Sequence, residues 1–200
     1  MTSRPGGRTA AVRAAVLTAA AGLLAENGLH GLDLTAVADR AGVGKTTVYR
    51  RWGSVPALVA DLLVDMAETS TARPTTGTLR GDLLSVARLI QRTLADRRQG
   101  PLFKAVIAAA TCDSATAAAL AGFYRTRLAE LGPIVEDAVE RGEAPAGTNA
   151  ADVIRHVSAP LYYRLLTDAT PPRPRDAERA VGATLAAVAA GVFRYTDERD

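Results

Sequence analysis

The stretch that most constrains this chain is residues 33–52, DLTAVADRAGVGKTTVYRRW, in which two short helical patterns flank a Gly-Val-Gly turn. In the first pattern Leu34, Val37, Ala38 and Ala41 recur at helical spacing and form one apolar stripe. Asp33 stands where an N-cap is needed, since its carboxylate can accept the unpaired N–H groups of the first turn. Gly42 follows the last periodic residue, at the position where a left-handed backbone favours glycine. Val43 then plugs the corner. A second short helix over residues 45–52 turns Val48 and Trp52 inward, one turn apart.

What remains outward on the second helix carries the chemistry. Lys45, Thr46, Tyr49 and Arg50 share a face, with Thr47 and Arg51 on its flanks. Cations meet phosphates, hydroxyls reach phosphates or base edges, and a tyrosine offers ring and hydroxyl together. Two short helices joined by a tight glycine turn make a helix-turn-helix, whose second helix enters the major groove of DNA. In that geometry Lys45, Thr46 and Tyr49 face base edges or adjacent phosphates, while Thr35, Thr47, Arg50 and Arg51 secure the backbone. Two rivals compete for the same residues. One is a solvated helical hairpin. The other is a phosphate loop, because Gly44-Lys45-Thr46 resembles the end of a Walker A motif. That motif requires a glycine five positions before Gly44, and Asp39 stands there, with no buried strand before it.

Val37-Ala38, Ala41-Gly42-Val43, Lys45, Thr47-Val48-Tyr49-Arg50, Trp52 and Leu58 follow the order and spacing of a known N-terminal signature, and at these residues the sequence resembles the TetR family of transcriptional regulators. The resemblance covers residues 12–58 closely. It implies an all-α protein with a three-helix DNA-binding domain at 1–53, a connecting helix at 54–73, and a larger helical body at 74–200 for effector binding and dimerisation. It further implies a pseudo-palindromic double-stranded DNA operator, a small-molecule effector and a homodimer, with repression as the family default. Two positions depart from the pattern. Asp33 replaces a Thr or Ser that both caps and touches a phosphate, and Val55 replaces a phosphate-binding lysine.

Charge distribution agrees with a polyanion partner at the N-terminal end. Residues 1–53 hold seven basic side chains (Arg4, Arg8, Arg13, Arg40, Lys45, Arg50 and Arg51) and three acidic ones (Glu26, Asp33 and Asp39). The whole chain carries 24 Lys and Arg against 21 Asp and Glu, so the remaining residues are close to neutral. Aromatic residues make up only 4% of the chain, which leaves a core of Ala, Leu and Val and favours close helix packing over a sheet. Cys112, the one cysteine, cannot form an intramolecular disulfide and fits a reducing cytoplasm as a small buried hydrophobe. His30 and His156 lie outside any metal-ligand spacing, and no cofactor is expected. The apolar run at residues 14–25 after three arginines mimics a signal peptide but reads as the helix supporting the helix-turn-helix, and no run approaches a membrane span of about 20 residues.

Along the rest of the chain, residues 1–7 read as an arm, from which Arg4 and Arg8 could touch DNA backbone or minor groove, with an uninvolved tail at least as good a reading. A helix follows over 9–27, ended by Asn27-Gly28. Ser54 caps the connecting helix, which carries Pro56 in its first turn. Further helices are expected over 79–98, over 102–111 after Gly100-Pro101, from Ser114 to a break at Gly132-Pro133, on to 141, over 151–168 with Pro160 inside, and over 175–195. The last of these has Val181, Leu185, Val188, Val192 and Tyr195 at alternating spacings of four and three, a seam for a partner helix. By the resemblance, the body encloses a ligand pocket. Leu102, Phe103, Val106, Phe123, Tyr124, Tyr162, Tyr163 and Leu166 are candidates for its lining, although for any single one of them a place in the core is the stronger reading. No nucleophile elbow, metal cluster or dinucleotide turn points to an enzyme, and Glu136, Asp137 and Glu140 read as a solvated helix face. The remaining competitor is a helical protein–protein adaptor without an effector.

Overall fold

The N-terminal helix α1 (Pro5–Asn27) is apolar along one side because Val16, Leu17, Ala20 and Leu24 follow helical spacing, and all four are buried. The computed structural model describes residues 5–68 and 72–195, without the side chains of residues 5–8 and 30. Arg4 therefore lies outside the described residues, as do the side chains of Arg8 and His30. Gly28, at φ 66°, ends α1 in the left-handed region, and a single 3-10 turn (Leu29–Gly31) follows. Then come α2 (Leu34–Ala41), α3 (Lys45–Trp52), α4 (Val55–Glu68), α5 (Leu79–Ala95), α6 (Gln99–Ala110), α7 (Ser114–Leu131), α8 (Pro133–Glu140), α9 (Ala150–Thr167) and α10 (Pro174–Ala189). The expected all-α architecture is observed, and no strand occurs among the described residues.

The chain divides into two compact units. The first comprises Met1–Ser70 and Arg97–Phe123. Its core joins the buried side of α1 to Leu34, Val37 and Ala38 of α2, Val48 and Trp52 of α3, Leu58, Val59, Leu62 and Leu63 of α4, and Leu102 and Val106 of α6. The second unit comprises Thr71–Asp96 and Tyr124–Asp200, with α5, α9 and α10 packed on one another and α8 against α5 and α9. Leu83, Val86, Ile134, Val153, Val157, Leu161, Val181 and Val188 are among its buried side chains.

Three expectations about helix limits need correction. α1 already starts at Pro5, so residues 5–7 are helical. α6 starts at Gln99, with Pro101 inside its first turn, where a missing N–H removes no helical bond. α10 stops at Ala189, short of Tyr195. Its stop is made at Gly191, φ 71°, where the Gly191 N–H donates to the Val188 carbonyl and the Val192 N–H to Ala187, each at 3.0 Å. The chain then turns back, and the Tyr195 N–H donates to the Gly147 carbonyl at 3.0 Å. The membrane reading also changes. α1 contains one window, Thr9–Asn27, long and apolar enough by length and composition to cross a bilayer, although one face of it is buried in the first unit.

Candidate nucleic-acid interface

The local folding of α2 and α3 follows from their end residues. Asp33 Oδ1 accepts the backbone N–H groups of Thr35 at 2.7 Å and Ala36 at 2.8 Å, which fixes where α2 begins. Gly42 adopts φ 65° and ψ 32°, so the chain leaves α2 sharply, and the Val43 N–H donates back to the Ala38 carbonyl at 3.0 Å. Three residues, Gly42 to Gly44, separate α2 from α3. α3 buries Val48 and Trp52 on one side and leaves Lys45, Thr46, Tyr49, Arg50 and Arg51 exposed, with Thr47 and Thr35 half-buried.

Tyr49 is 49% exposed, and its hydroxyl lies 3.3 Å from Thr35 Oγ1, so a side-chain hydrogen bond links α2 to the outward face of α3. Lys45 Nζ lies 3.5 Å from Asp39 Oδ2, with both side chains more than half exposed. An ion pair of this kind contributes only about 0–1 kcal/mol, so it holds the lysine loosely. Arg51 is turned back. Its guanidinium lies 5.1 Å from the Trp52 ring centroid and Nη1 reaches toward the Thr9 carbonyl at 3.5 Å. Val55 is partly buried against the core of the first unit.

Behind this face lie ion pairs that the sequence reading missed. Arg40 makes a two-pronged bond to Glu26, Nη1 to Oε2 at 2.5 Å and Nη2 to Oε1 at 2.6 Å, bracing α2 on α1. The hydrogen bonds from Arg40 hold the Glu26 carboxyl below its ordinary range. Gly22 permits this, because a Cβ there would sit 2.9 Å from Arg40 Nη2. Deeper in, Arg13 of α1 meets Asp61 and Asp65 of α4 at 2.8 and 2.6 Å. Burial pushes the Asp61 carboxyl up, but hydrogen bonds from Arg13 and Trp52 outweigh it and hold that group below the usual carboxylate range. The sequence signal was the spacing of Asp61 and Asp65, one turn apart on a helix that is apolar from Val55 to Ala67 apart from these two.

The candidate pocket residues fall into the two units. Leu102, Phe103 and Val106 are buried in the first, and Phe123 packs beside Phe103 with ring centroids 5.8 Å apart. In the second unit Tyr124 and Tyr162 meet edge to face at 5.7 Å. Burial raises the pKa of both hydroxyls above the ordinary tyrosine value, Tyr162 the more strongly. Tyr163 and Leu166 are exposed. Of the seam residues, Val181 and Val188 are buried within the second unit and Leu185 is half-buried. Val192 and Tyr195 lie beyond the end of α10 and are 66% and 72% exposed. Cys112 is exposed, not buried. Among the described residues no group of three or more His, Cys, Asp or Glu is placed to hold a metal ion.

Comparison with known proteins bears on both parts of the chain. The family described as bacterial regulatory proteins, tetR family, matches residues 16–62, and that described as tetracyclin repressor-like, C-terminal domain, matches residues 73–184. The HTH-type transcriptional regulator YdeS of Bacillus subtilis is 29% identical over 153 residues, which span 76% of this chain and 77% of that protein. An HTH-type transcriptional regulator of Mycobacterium tuberculosis is 31% identical over 151 residues, covering 75% and 74% of the two chains. Among solved structures, the TetR family transcription regulator SCO0332 superposes with a TM-score of 0.70 at 29% identity, over 88% of this chain and 98% of that one. The helix-turn-helix at residues 34–52 lies within the first match, and the second covers more than half of the chain. This protein therefore belongs to the TetR family of DNA-binding transcriptional regulators.

Proposed function

We propose that this protein is a cytoplasmic repressor that binds a pseudo-palindromic operator as a homodimer and leaves it when a small-molecule effector binds. The observation that carries the reading is the outward face of α3. Lys45, Thr46, Tyr49 and Arg50 stand exposed on a helix whose other side is locked into a core, with Tyr49 steadied by Thr35. A helix so presented enters a major groove, and its cations release counterions from the phosphates. One such helix makes few base contacts, and a dimer supplies a second about 34–36 Å away, one turn of DNA further on.

We divide the chain by role into a DNA-binding part at 1–53, a connector at 54–73 and an effector and dimerisation part at 74–200. Support for coupling comes from α6, which belongs to the last part by sequence yet places Leu102 and Val106 in the same core as α1 and α4. An effector that favours one placement of α6 thereby biases the DNA-binding helices. The Tyr124 and Tyr162 hydroxyls suit a mostly apolar ligand with one or two polar groups.

The test is selection of genomic duplex fragments by the purified protein, followed by titration of the best fragment at several salt concentrations. A footprint of two half-sites one helical turn apart is expected. Arg51→Ala is expected to weaken binding to all duplexes and to flatten the salt slope by about one. Unchanged affinity and slope would show that Arg51 stays on Trp52 and never reaches phosphate. No enrichment of any fragment at low ionic strength would refute the operator reading.

A further inference from the structure

Besides its apolar contacts, α3 is bonded from behind by one polar side chain of α4. Trp52, the single tryptophan of the chain, closes α3 with its ring buried. Its indole N–H donates to Asp61 Oδ2 at 2.9 Å. Oδ1 of that carboxylate accepts from Arg13, at 2.8 Å from Nη2 and 3.1 Å from Nε, and Nε also reaches Oδ2 at 3.2 Å. The remaining arm of Arg13, Nη1, donates to Asp65 at 2.6 Å. Over the Trp52 ring lies the guanidinium of Arg51, itself one of the cations exposed on α3. A line of contacts thus runs from α4 through the indole to the DNA-facing surface.

We propose that Asp61 is a positioning residue for DNA recognition, whose bond to the Trp52 indole sets the rotation and height of α3 and hence the register of Lys45, Thr46 and Tyr49 on base edges. The proposal rests on α3 being the helix that enters the groove. Its physical basis is that α3 has only eight residues, too few to hold its own position. The apolar contacts of Val48 and the Trp52 ring attract but do not direct. A hydrogen bond to a half-buried acceptor oxygen is directional, so it fixes the angle at which the indole sits. Because Asp61 stands on the helix that also carries Leu58, Leu62 and Leu63 into the core, any shift of α4 is passed to α3 through a fixed point.

The competing role for Asp61 is plain stability through its ion pair with Arg13, and the two roles separate by substitution. Full-length protein is used, with a duplex enriched by the wild type from a random-sequence pool and a scrambled duplex of equal length. The readout is the ratio of the two affinities. Asp61→Ala and Trp52→Phe are each expected to lower that ratio about tenfold, and the double variant no further, because the indole bond to Asp61 is lost in both and the Arg13 pair does not bear on the ratio. Asp61→Asn breaks the ion pair as fully as Asp61→Ala but leaves an oxygen for the indole, so its ratio stays within about twofold of wild type. Tryptophan emission, which reports only on Trp52, shifts in Asp61→Ala and stays in place in Asp61→Asn. If Asp61→Ala does not fold, Trp52→Phe and Asp61→Asn decide alone, since Arg13 keeps Asp65 as a partner. Equal losses in Asp61→Asn and Asp61→Ala, or an undiminished ratio in Trp52→Phe, overturn the proposal. A wild type that enriches no duplex refutes the reading of α3 and this proposal with it.

Discussion

Asp33 does two things that work against each other. Its carboxylate starts α2 by taking the N–H groups of Thr35 and Ala36, and the same negative charge stands beside the surface proposed to meet phosphate. Serine caps a helix about as well as aspartate, so Asp33→Ser keeps the start of α2 and removes the charge. Tighter binding to any duplex is expected, by about threefold at low salt and less at high salt, with an unchanged melting temperature. Duplex titration of the two proteins at two ionic strengths checks this. Equal affinities would place Asp33 away from the phosphate path. Val55 has no such conflict, because its side chain is partly buried against the core and carries no charge to either partner.

The turn between α2 and α3 shows what an element needs from one position. A Cβ on Gly42 meets no atom within 4 Å, so space is not the constraint there; its φ of 65° is. Gly42→Ala is expected to lower stability by about 1–2 kcal/mol through backbone strain alone, and Gly42→Asn by less. Denaturant unfolding followed by circular dichroism measures the difference, and an unshifted midpoint would mean the turn relaxes to another geometry. This turn was legible in the sequence because cap, stripe and glycine all lie within twenty residues and all act locally. Elsewhere local signals competed. The spacing of Val192 and Tyr195 continued the pattern of α10, but Gly191 in the left-handed region ended the helix before them. Gly100-Pro101 looked like punctuation, yet a helix tolerates proline in its first turn. The Arg13 contacts with Asp61 and Asp65 join residues 48 and 52 positions apart, and no local pattern announces a partner at that distance.

At the scale of the whole molecule, self-association is decided by which faces the second unit leaves uncovered. The sequence seam suggested Val181 and Val188, but both are buried against their own unit, so they are already used. Arg175, Glu178 and Arg179 are exposed near the start of α10, but its second half leaves only small residues outward: Gly182, Ala183, Ala186 and Ala189 recur at helical spacing and are exposed. α9 likewise leaves Ala159, Tyr163 and Leu166 outward. Small side chains let helices approach closely, and exposed apolar groups beside them gain by being covered. Under the homodimer reading these faces, rather than the buried valines, meet the second copy. Ala186→Asp and Tyr163→Asp are then expected to give folded monomers with full helical content and weakened operator binding, since a single helix-turn-helix reaches one half-site. Val188→Asp should instead unfold the unit, because a buried unpaired carboxylate costs several kcal/mol. Light scattering and circular dichroism on the three variants separate the cases. If Ala186→Asp and Tyr163→Asp remain dimeric while Val188→Asp yields a folded monomer, the partner sits on the valine side, and the second unit must open to receive it.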